Sequence, residues 1–204
     1  MPQLREGQRA PNFKLTDKDG KPHQLQAVGA EYTVLYFYPK DSTPGCTIEA
    51  QEFSAKLKEF SVRKVRVLGV SGGDDSSKEK FCRKFKLSVP LVSDTDFRVA
   101  RSYGAYGDKK FMGRSFKGIF RKTFLVDSAG KVVRIFDSVK PEGHAEEVLA
   151  AIDSLKGKRP ARKAAQAAPK RAAAKKAQAR RKASSATAQR KKASPKRKAP
   201  SKKN

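Results

Sequence analysis

The sequence predicts an α/β fold in which a mixed central sheet is flanked by helices. Runs of apolar and β-branched residues, typical of strands covered on both faces, alternate with segments of helical spacing. Two late apolar runs are joined by a short turn, which adds an antiparallel hairpin to the alternating elements. The pattern stops at residue 156, where the composition changes abruptly.

The first half of the chain contains two buried strands, each followed by a helix. Glu31–Pro39 (EYTVLYFYP) and Lys64–Ser71 (KVRVLGVS) are the strands, and the helices cover Cys46–Phe60 and Asp75 to about Lys86. In the first helix, apolar residues lie close to helical spacing: Ile48, Phe53, Leu57 and Phe60. In the second, Asp75 and Ser76 are candidate caps, and one side of the helix carries Phe81, Cys82 and Phe85.

The second half supplies shorter elements and a closing helix. Asp127 to Gly130 form the hairpin turn, and Gly130 suits a left-handed backbone position. The predicted elements are a strand at Pro90–Ser93, a helix at Asp96–Tyr103, hairpin strands at Lys122–Val126 and Lys131–Asp137, and a helix at Glu142–Leu155.

Charge divides the chain into two regions. The sequence has 47 Lys and Arg against 20 Asp and Glu, a formal net charge of +27. Residues 157–204 hold 19 of the basic residues, no acidic residue, and no Leu, Ile, Val, Phe, Tyr, Met or Cys. Such a segment cannot bury a core. The sequence therefore predicts one folded domain over residues 1–156 and a disordered basic tail over residues 157–204.

The composition excludes several classes of protein. No apolar run approaches the roughly 20 residues of a membrane helix, and MPQLREGQRAPNF lacks the apolar region of a signal peptide. Two cysteines are too few for a disulfide scaffold, which favours a reducing compartment and thiol chemistry. His23 and His144 are isolated in sequence, and Asp17 to Asp19 lack the other ligands of a calcium loop. We expect no metal and no tightly bound cofactor.

Cys46 stands where a buried strand passes through the loop PKDSTPG into a helix. Unpaired backbone N–H groups and the helix dipole at that end favour the thiolate, which is the reactive form of cysteine. Thr43 lies three residues earlier, and its hydroxyl can turn toward the same point. A buried cysteine without chemistry is the alternative that position alone leaves open.

The whole segment resembles the peroxiredoxin signature P-x-x-x-T-x-x-C, with Pro39, Thr43 and Cys46 at its three fixed positions. The string YFYPKDSTPGCTIEA is similar to the peroxiredoxin Q (bacterioferritin comigratory protein) branch. The resemblance covers about Leu4–Ile152, including APNFKLTDKDG and FRKTFLVDSAGKV. It implies a thioredoxin-like fold and a thiol-dependent peroxidase that reduces hydrogen peroxide and organic hydroperoxides.

The resemblance also implies a role for each matched residue. Cys46 would attack the peroxide O–O bond and become a sulfenic acid. Thr43 would hydrogen-bond the thiolate and the peroxide oxygen, and Pro39 would shield the pocket from water. Arg121 matches the family arginine that stabilises the thiolate and the leaving oxygen.

The arginine assignment has competitors. Arg121 stands in FRKTF at the start of a predicted strand, where a solvated cation is the plain alternative and Lys122 a rival candidate. Glu49 corresponds to the carboxylate that often orients the family arginine.

The second cysteine departs from the more familiar pattern of this branch. Many peroxiredoxin Q proteins carry it five residues after the first, where this chain has Gln51. A second set, with the resolving cysteine in the following helix, resembles the arrangement here. That set implies that Cys82 attacks the Cys46 sulfenic acid and forms an intramolecular disulfide in a monomeric enzyme.

The disulfide would then be reduced by an external dithiol such as thioredoxin. A disulfide requires Cα atoms within roughly 7 Å, and cysteines on separate helices seldom start that close. We therefore expect the first turn of the Cys46 helix and part of the Cys82 helix to unwind when the disulfide forms. A buried helix cysteine with no redox role is the alternative for Cys82.

The tail repeats basic pairs and triplets set in alanine, and its composition resembles linker-histone and nucleoid-protein tails. We expect it to bind nucleic-acid phosphates without sequence readout, in a nucleus if the host has one and otherwise in the nucleoid or cytoplasm. An import signal and a solubilising tail are the alternatives. The competing function is a nucleic-acid-compacting protein whose front domain senses redox state. The basic clusters comprise Lys170, Arg171, Lys175, Lys176, Arg180, Arg181, Lys182, Arg190, Lys191, Lys192, Lys196, Arg197 and Lys198.

Overall fold

A computed structural model describes residues 4–25, 29–111 and 113–157, all of which belong to the unit Met1–Lys158. Apart from Gly157, the predicted tail lies outside these residues. The described elements are β1 (Lys14–Thr16), β2 (Pro22–Gln24), β3 (Tyr32–Phe37), α1 (Pro44–Ala55), α2 (Leu57–Val62), β4 (Val65–Ser71), α3 (Asp75–Phe85), β5 (Leu91–Ser93), α4 (Arg98–Ser102), β6 (Tyr106–Phe111), β7 (Arg114–Ile119), β8 (Lys122–Asp127), β9 (Val132–Phe136) and α5 (His144–Gly157).

The central sheet has five strands in the order β5-β4-β3-β8-β9. β3 pairs in parallel with β4 and antiparallel with β8, so the predicted mixed sheet is confirmed. In the β3–β8 register Phe37 lies opposite Lys122. The end of β3 therefore meets the start of β8, and the loops that continue from these two points face one another.

Two apolar clusters cover the two faces of the sheet. Alternate residues of β3 belong to different clusters: Val34 and Tyr36 to one, Leu35 and Phe37 to the other. Every residue of β3 is buried, as the unbroken apolar run in the sequence indicates. The cluster that contains Val34 also holds residues of α1, α3 and α5 and both cysteines.

The structure corrects two details of the predicted helices. The segment expected to form one helix from Cys46 is two helices, α1 and α2, and α1 begins earlier, at Pro44, because proline is well suited to the first helical turn. Hydrogen bonds run through the junction, from Lys56 N to Glu52 O and from Phe60 N to Lys56 O, each 3.1 Å. The N-cap of α3 is Asp74, whose carboxylate accepts from Ser77 N at 2.7 Å, and not Asp75 or Ser76.

Two antiparallel hairpins, β1–β2 and β6–β7, were not predicted from the sequence. The segment of β6 and β7, YGDKKFMGRSFKGI, is rich in charge and glycine and poor in β-branched residues, so its composition indicates a loop. Cross-strand pairing, and not local preference, makes it a hairpin.

Candidate active site

Cys46 and Arg121 meet at the edge of the sheet where β3 ends and β8 begins. Cys46 is the third residue of α1, at the N-terminal end predicted for it, and its side chain is buried, with 1% relative exposure. Arg121 directly precedes β8. Because β3 and β8 are adjacent, the loop after one strand and the residue before the other converge on the same point.

The guanidinium of Arg121 binds the thiol and a carboxylate at once. Its Nη2 donates to Cys46 Sγ at 3.2 Å, and its Nη1 donates to Glu49 Oε2. Glu49 follows Cys46 by three residues, which places both side chains on one face of α1. Burial raises the pKa of Glu49 from 4.5 to about 7, although Arg121 opposes the shift. Within the described part of the chain, Glu49 Oε1 has no hydrogen-bond partner.

Gly45 leaves room for the arginine. A Cβ at this position would lie 3.1 Å from Pro141 Cγ and 3.3 Å from Arg121 Nη2. The turn that contains Pro141 is fixed to α1, because Gly143 N donates to Glu52 Oε1 at 2.8 Å. Pro141 and the guanidinium therefore both pack against the start of α1 at Gly45.

Thr43 and Pro39 lie in the loop between β3 and α1, close to Cys46 in sequence. Thr43 occupies the N-cap position of α1, but its hydroxyl donates to the carbonyl of Lys40 at 3.1 Å and makes no capping bond. The hydrogen bond from Thr43 to the thiolate therefore stays a prediction. Pro39 is half-buried just after β3, and its shielding role also stays a prediction.

Two lysines near Arg121 differ in their surroundings. Lys122, the rival candidate, forms an ion pair with Asp137 at 2.7 Å. Lys109, which the sequence did not single out, donates from Nζ to the carbonyl of Ile119 at 2.9 Å. Burial lowers the pKa of Lys109, nearby Arg121 lowers it further, and the Cys46 thiolate opposes the shift. Lys109 is thus a second cation near the thiol, on a hairpin that sequence pattern did not reveal.

Cys82 lies in α3 and packs in the same apolar cluster as Cys46. Both cysteines are free thiols in this structure. Burial raises the pKa of Cys82 above 9.0, and nearby charges of both signs partly cancel: Lys18 and Lys78 lower it, Asp41 raises it. The structure thus leaves Cys82 unbonded to Cys46, on a different helix.

Both histidines are buried in polar contacts. His23 lies 2.7 Å from Asp17 Oδ2 and 2.8 Å from Arg66 Nη2, and His144 Nε2 lies 2.8 Å from Thr123 Oγ1. Within residues 4–25, 29–111 and 113–157, no group of three or more His, Cys, Asp or Glu could hold a metal ion. Over the same ranges, no helix is long and apolar enough to span a bilayer.

A buried polar cluster around Asp41 and Lys78 was also missed. Asp41 belongs to the loop before Cys46, and Lys78 precedes Cys82 by one helical turn. Lys78, Phe81, Cys82 and Phe85 follow helical spacing, which is the signal that places Lys78 on the buried face of α3.

Comparison with known proteins places the chain in a family. A model of the AhpC/TSA family matches residues 6–135. A Helicobacter pylori protein named putative peroxiredoxin bcp is 43% identical over 149 residues, which cover 73% of this chain and 98% of the relative. The Escherichia coli peroxiredoxin Bcp is 38% identical over 149 residues, covering 73% of this chain and 96% of the relative.

Solved structures agree with this placement. The bacterioferritin comigratory protein of Xanthomonas campestris is 39% identical, with a TM-score of 0.65 over 70% of this chain and 91% of that one. A cysteine mutant of Xylella fastidiosa PrxQ is 32% identical, with a TM-score of 0.71 over 76% of this chain and 99% of that one. The chain belongs to the AhpC/TSA family, as a thioredoxin-fold peroxiredoxin of the Bcp and peroxiredoxin Q type, and its activity is that of a thiol peroxidase.

Proposed function

We propose that Cys46 reduces hydrogen peroxide and organic hydroperoxides. The Cys46 thiolate attacks one peroxide oxygen, so that an S–O bond forms and the O–O bond breaks. The thiol is oxidised to a sulfenic acid, the peroxide is reduced, and the leaving oxygen takes a proton as water or an alcohol. The observation that carries the proposal is the Arg121 guanidinium 3.2 Å from Cys46 Sγ.

The arginine supplies the electrostatic part of this reaction. Its charge stabilises the thiolate before attack and the negative oxygen during O–O cleavage. The ion pair with Glu49 fixes the guanidinium plane, so little reorganisation is needed when charge moves from sulfur to oxygen. The Xanthomonas campestris relative is described as active in alkyl peroxide reduction, which supports the same substrate class here.

The second step of the proposal is resolution by Cys82. Its thiolate attacks the sulfur of the Cys46 sulfenic acid, an S–S bond forms, the S–O bond breaks, and the departing hydroxide takes a proton from solvent and becomes water. Xanthomonas campestris peroxiredoxin Q was solved as two single cysteine-to-serine mutants whose positions are 36 residues apart, the same separation as between Cys46 and Cys82. An external dithiol such as thioredoxin would then reduce the disulfide of a monomeric enzyme.

The tail gives the enzyme its proposed location. Its 19 basic residues, without an acidic one, favour binding to nucleic-acid phosphates irrespective of sequence. The relatives reported above come from bacteria, which supports the nucleoid and cytoplasm over a nucleus as the site of action. The proposed role is peroxide removal close to DNA.

A coupled assay with thioredoxin and thioredoxin reductase tests the first step. The wild type should consume hydrogen peroxide and an alkyl hydroperoxide, and Cys46→Ser should consume neither above the uncatalysed rate. Cys82→Ser is the matched control in a single turnover without thioredoxin: it removes a thiol from the same apolar cluster but leaves Cys46 and Arg121 intact, so it should still reduce one equivalent of peroxide. A Cys46→Ser protein as active as the wild type contradicts the proposal.

Thiol counting tests the second step. One equivalent of peroxide should convert the wild type to a monomer without free thiols. In Cys82→Ser the Cys46 sulfenic acid should persist and over-oxidise more readily. A free Cys82 thiol in oxidised wild type would contradict resolution by Cys82 and favour an external resolving thiol.

Truncation after Gly157 tests the tail. The shortened protein should keep its peroxidase activity with short hydroperoxides and lose most of its affinity for DNA. Binding by the full chain should be independent of base sequence and fall steeply with salt, because counterions are released on binding. Salt-resistant binding, or binding that the truncated protein retains, would place recognition in the folded domain.

A further inference from the structure

Asp41 and Lys78 form a buried ion pair between the loop that leads to Cys46 and the helix that carries Cys82. The side chains are 5% and 0% exposed, and Lys78 Nζ lies 3.6 Å from Asp41 Oδ1. Burying two charges is costly unless further hydrogen bonds satisfy them. Neither residue contacts Cys46 or Cys82 through a hydrogen bond, and their charges shift the pKa of Cys82 in opposite directions, so the pair needs another explanation.

The hydrogen bonds that satisfy the pair come from the sheet and from α3. Asp41 Oδ1 accepts from the Tyr38 hydroxyl at 2.7 Å and from the Ser71 hydroxyl at 3.4 Å, and Oδ2 accepts from the Ser77 hydroxyl at 2.7 Å. Lys78 Nζ donates to Ser71 Oγ at 2.7 Å. Tyr38 directly follows β3 and Ser71 ends β4, so the rigid centre of the sheet fixes both charges.

The carboxylate also packs against the turn that leads into α3. A Cβ on Gly73 would lie 2.1 Å from Asp41 Oδ2, a distance that no side chain tolerates. Only glycine allows the backbone of this turn to approach the carboxylate so closely. Asp41 therefore contacts both the turn before α3 and the first helical turn through Ser77.

The pair stands just before both cysteines along the chain. Asp41 precedes Cys46 by five residues, and Lys78 precedes Cys82 by four, on the same side of α3. The start of α1 has no side-chain cap, since Thr43 makes no capping bond. The first turn of α3, in contrast, is capped by Asp74 and fixed by the pair. Two segments must unwind to join the sulfurs: the start of α1, which follows Asp41, and the part of α3 that follows Lys78.

Resting on the Cys46–Cys82 disulfide of the proposed function, we propose that the Asp41–Lys78 pair is an anchor for the resolving step. It stays formed while the start of α1 and the part of α3 beyond Lys78 unwind. Cys46 and Cys82 then each lie on a short mobile segment with one fixed end. Such short segments lose less conformational entropy when the disulfide closes than longer segments without a fixed end. Lys78 is thus a positioning residue for disulfide formation.

Rapid kinetics on Lys78→Met separates this role from catalysis by Cys46. Rapid quenching and mass spectrometry measure sulfenic acid formation, disulfide formation and sulfinic acid. Disulfide formation should slow about tenfold, as for loss of a coupled buried pair. Sulfinic acid should then appear at a lower peroxide concentration than in the wild type, because the sulfenic acid persists for longer. Sulfenic acid formation should stay within about twofold of the wild type. Disulfide formation at the wild-type rate overturns the anchor, and faster formation means that the pair holds α3 closed.

Val148→Ala is the control for stability alone, because Val148 is a fully buried residue of α5 whose apolar side chain carries no charge or hydrogen-bonding group. If it slows disulfide formation by the same factor as Lys78→Met, the effect is one of stability and the anchor is overturned. The double variant Asp41→Asn/Lys78→Met removes two charges with opposite effects on the pKa of Cys82, and it should be as slow as Lys78→Met alone, since one pair is lost in both.

Hydrogen exchange of the wild type tests the anchor even if Lys78→Met does not fold. In the disulfide form the amides of Ser77 and Lys78, which bond to Asp74 in this structure, should stay protected, and those from Cys82 onward should exchange quickly. Equal, fast exchange in both groups overturns the anchor. A wild type that keeps a free Cys82 thiol after oxidation overturns the proposed resolution and the anchor together, whereas the kinetic result above overturns the anchor alone.

Discussion

Cys46 and Cys82 share one apolar cluster, but the charges around them differ. Cys46 accepts a hydrogen bond from Arg121, which is itself held by Glu49. Cys82 lies within α3, where burial raises its pKa and the charges of Lys18 and Asp41 act in opposite directions. Burial is therefore common to both thiols, and the aligned cation distinguishes them.

The difference matches two reactions with different demands. Attack on a peroxide moves negative charge onto the leaving oxygen, and a fixed cation stabilises that charge directly. Resolution joins two sulfur atoms that start on separate helices, so it depends on movement of the chain more than on a fixed charge. The predictions below test each side of this comparison.

Replacing Arg121 should have the largest effect. Arg121→Met removes the cation from Cys46 and leaves the buried Glu49 carboxylate without its partner. We expect the rate constant for oxidation of Cys46 to fall about 10²- to 10³-fold, the usual loss when one such donor is removed. Competition with a peroxidase of known rate measures it.

Lys122→Met is the matched control for Arg121→Met. Its ammonium pairs with Asp137 and is the neighbouring cation in sequence. Oxidation of Cys46 should change by less than about threefold in this variant. Equal losses in both variants would mean that general positive charge, and not the aligned guanidinium, drives the reaction.

The pKa of Glu49 predicts a pH-dependent stability. Burial raises this pKa from 4.5 to about 7. Between these values the folded protein keeps a proton that the unfolded chain has lost, so the free energy of unfolding falls as pH rises. The contribution of Glu49 to the free energy of unfolding is complete below pH 4.5 and lost above about pH 7. Relative to Glu49→Gln, the free energy of unfolding of the wild type should fall by about 3 kcal/mol between these pH values.

Urea unfolding of the reduced proteins from pH 4.5 to 8 measures the effect. The other titrating groups are common to both proteins, so the difference between wild type and Glu49→Gln isolates this carboxyl. A difference that does not change with pH would show that Glu49 is ionised throughout, and that Arg121 outweighs the burial.

The sequence predicted the parts of the fold and site that depend on local pattern. Strand β3 follows from its unbroken apolar run, and the position of Cys46 follows from the proline-rich loop before it. Both are properties of adjacent residues. The contact of Arg121 with Cys46 was proposed from a family resemblance, and the β3–β8 register explains it.

Other parts depend on strand pairing and packing that local composition does not reveal. The β6–β7 hairpin that carries Lys109 has a loop-like composition and forms through pairing of its own two strands. The Asp41–Lys78 pair joins residues 37 positions apart, and only the packing of α3 on the sheet brings them together. Sequence spacing shows which face Lys78 occupies but not which carboxylate it meets.

The reactivity of Cys82 tests the other side of the comparison. In Cys46→Ser it is the only thiol. Because burial raises its pKa above 9.0, the rate of its reaction with iodoacetamide should keep rising beyond pH 9. At pH 8 it should be slower than in the same variant unfolded in urea, where the thiol has its ordinary pKa. A rate that reaches its plateau below pH 9 would mean that Lys18 and Lys78 outweigh the burial.

The smallest effect is expected from Gly45→Ala, which displaces the arginine without removing it. The new methyl group would lie 3.3 Å from Arg121 Nη2 and 3.1 Å from Pro141 Cγ. The proline ring is rigid and its turn is fixed to α1, so the flexible arginine must move by a few tenths of an ångström. Small displacements of aligned groups reduce rates, and we expect oxidation of Cys46 to slow about three- to tenfold.

Gly157→Ala is the control for this substitution, because a Cβ there meets no atom of the described residues within 4 Å and the residue ends α5. It should leave the oxidation of Cys46 unchanged. The step from sulfenic acid to disulfide, measured in the same quenched samples, should keep its wild-type rate in Gly45→Ala, since Arg121 contacts Cys46 and not Cys82. If Gly45→Ala slows that step as well, the arginine contributes to resolution, and the two thiols differ less than their surroundings indicate.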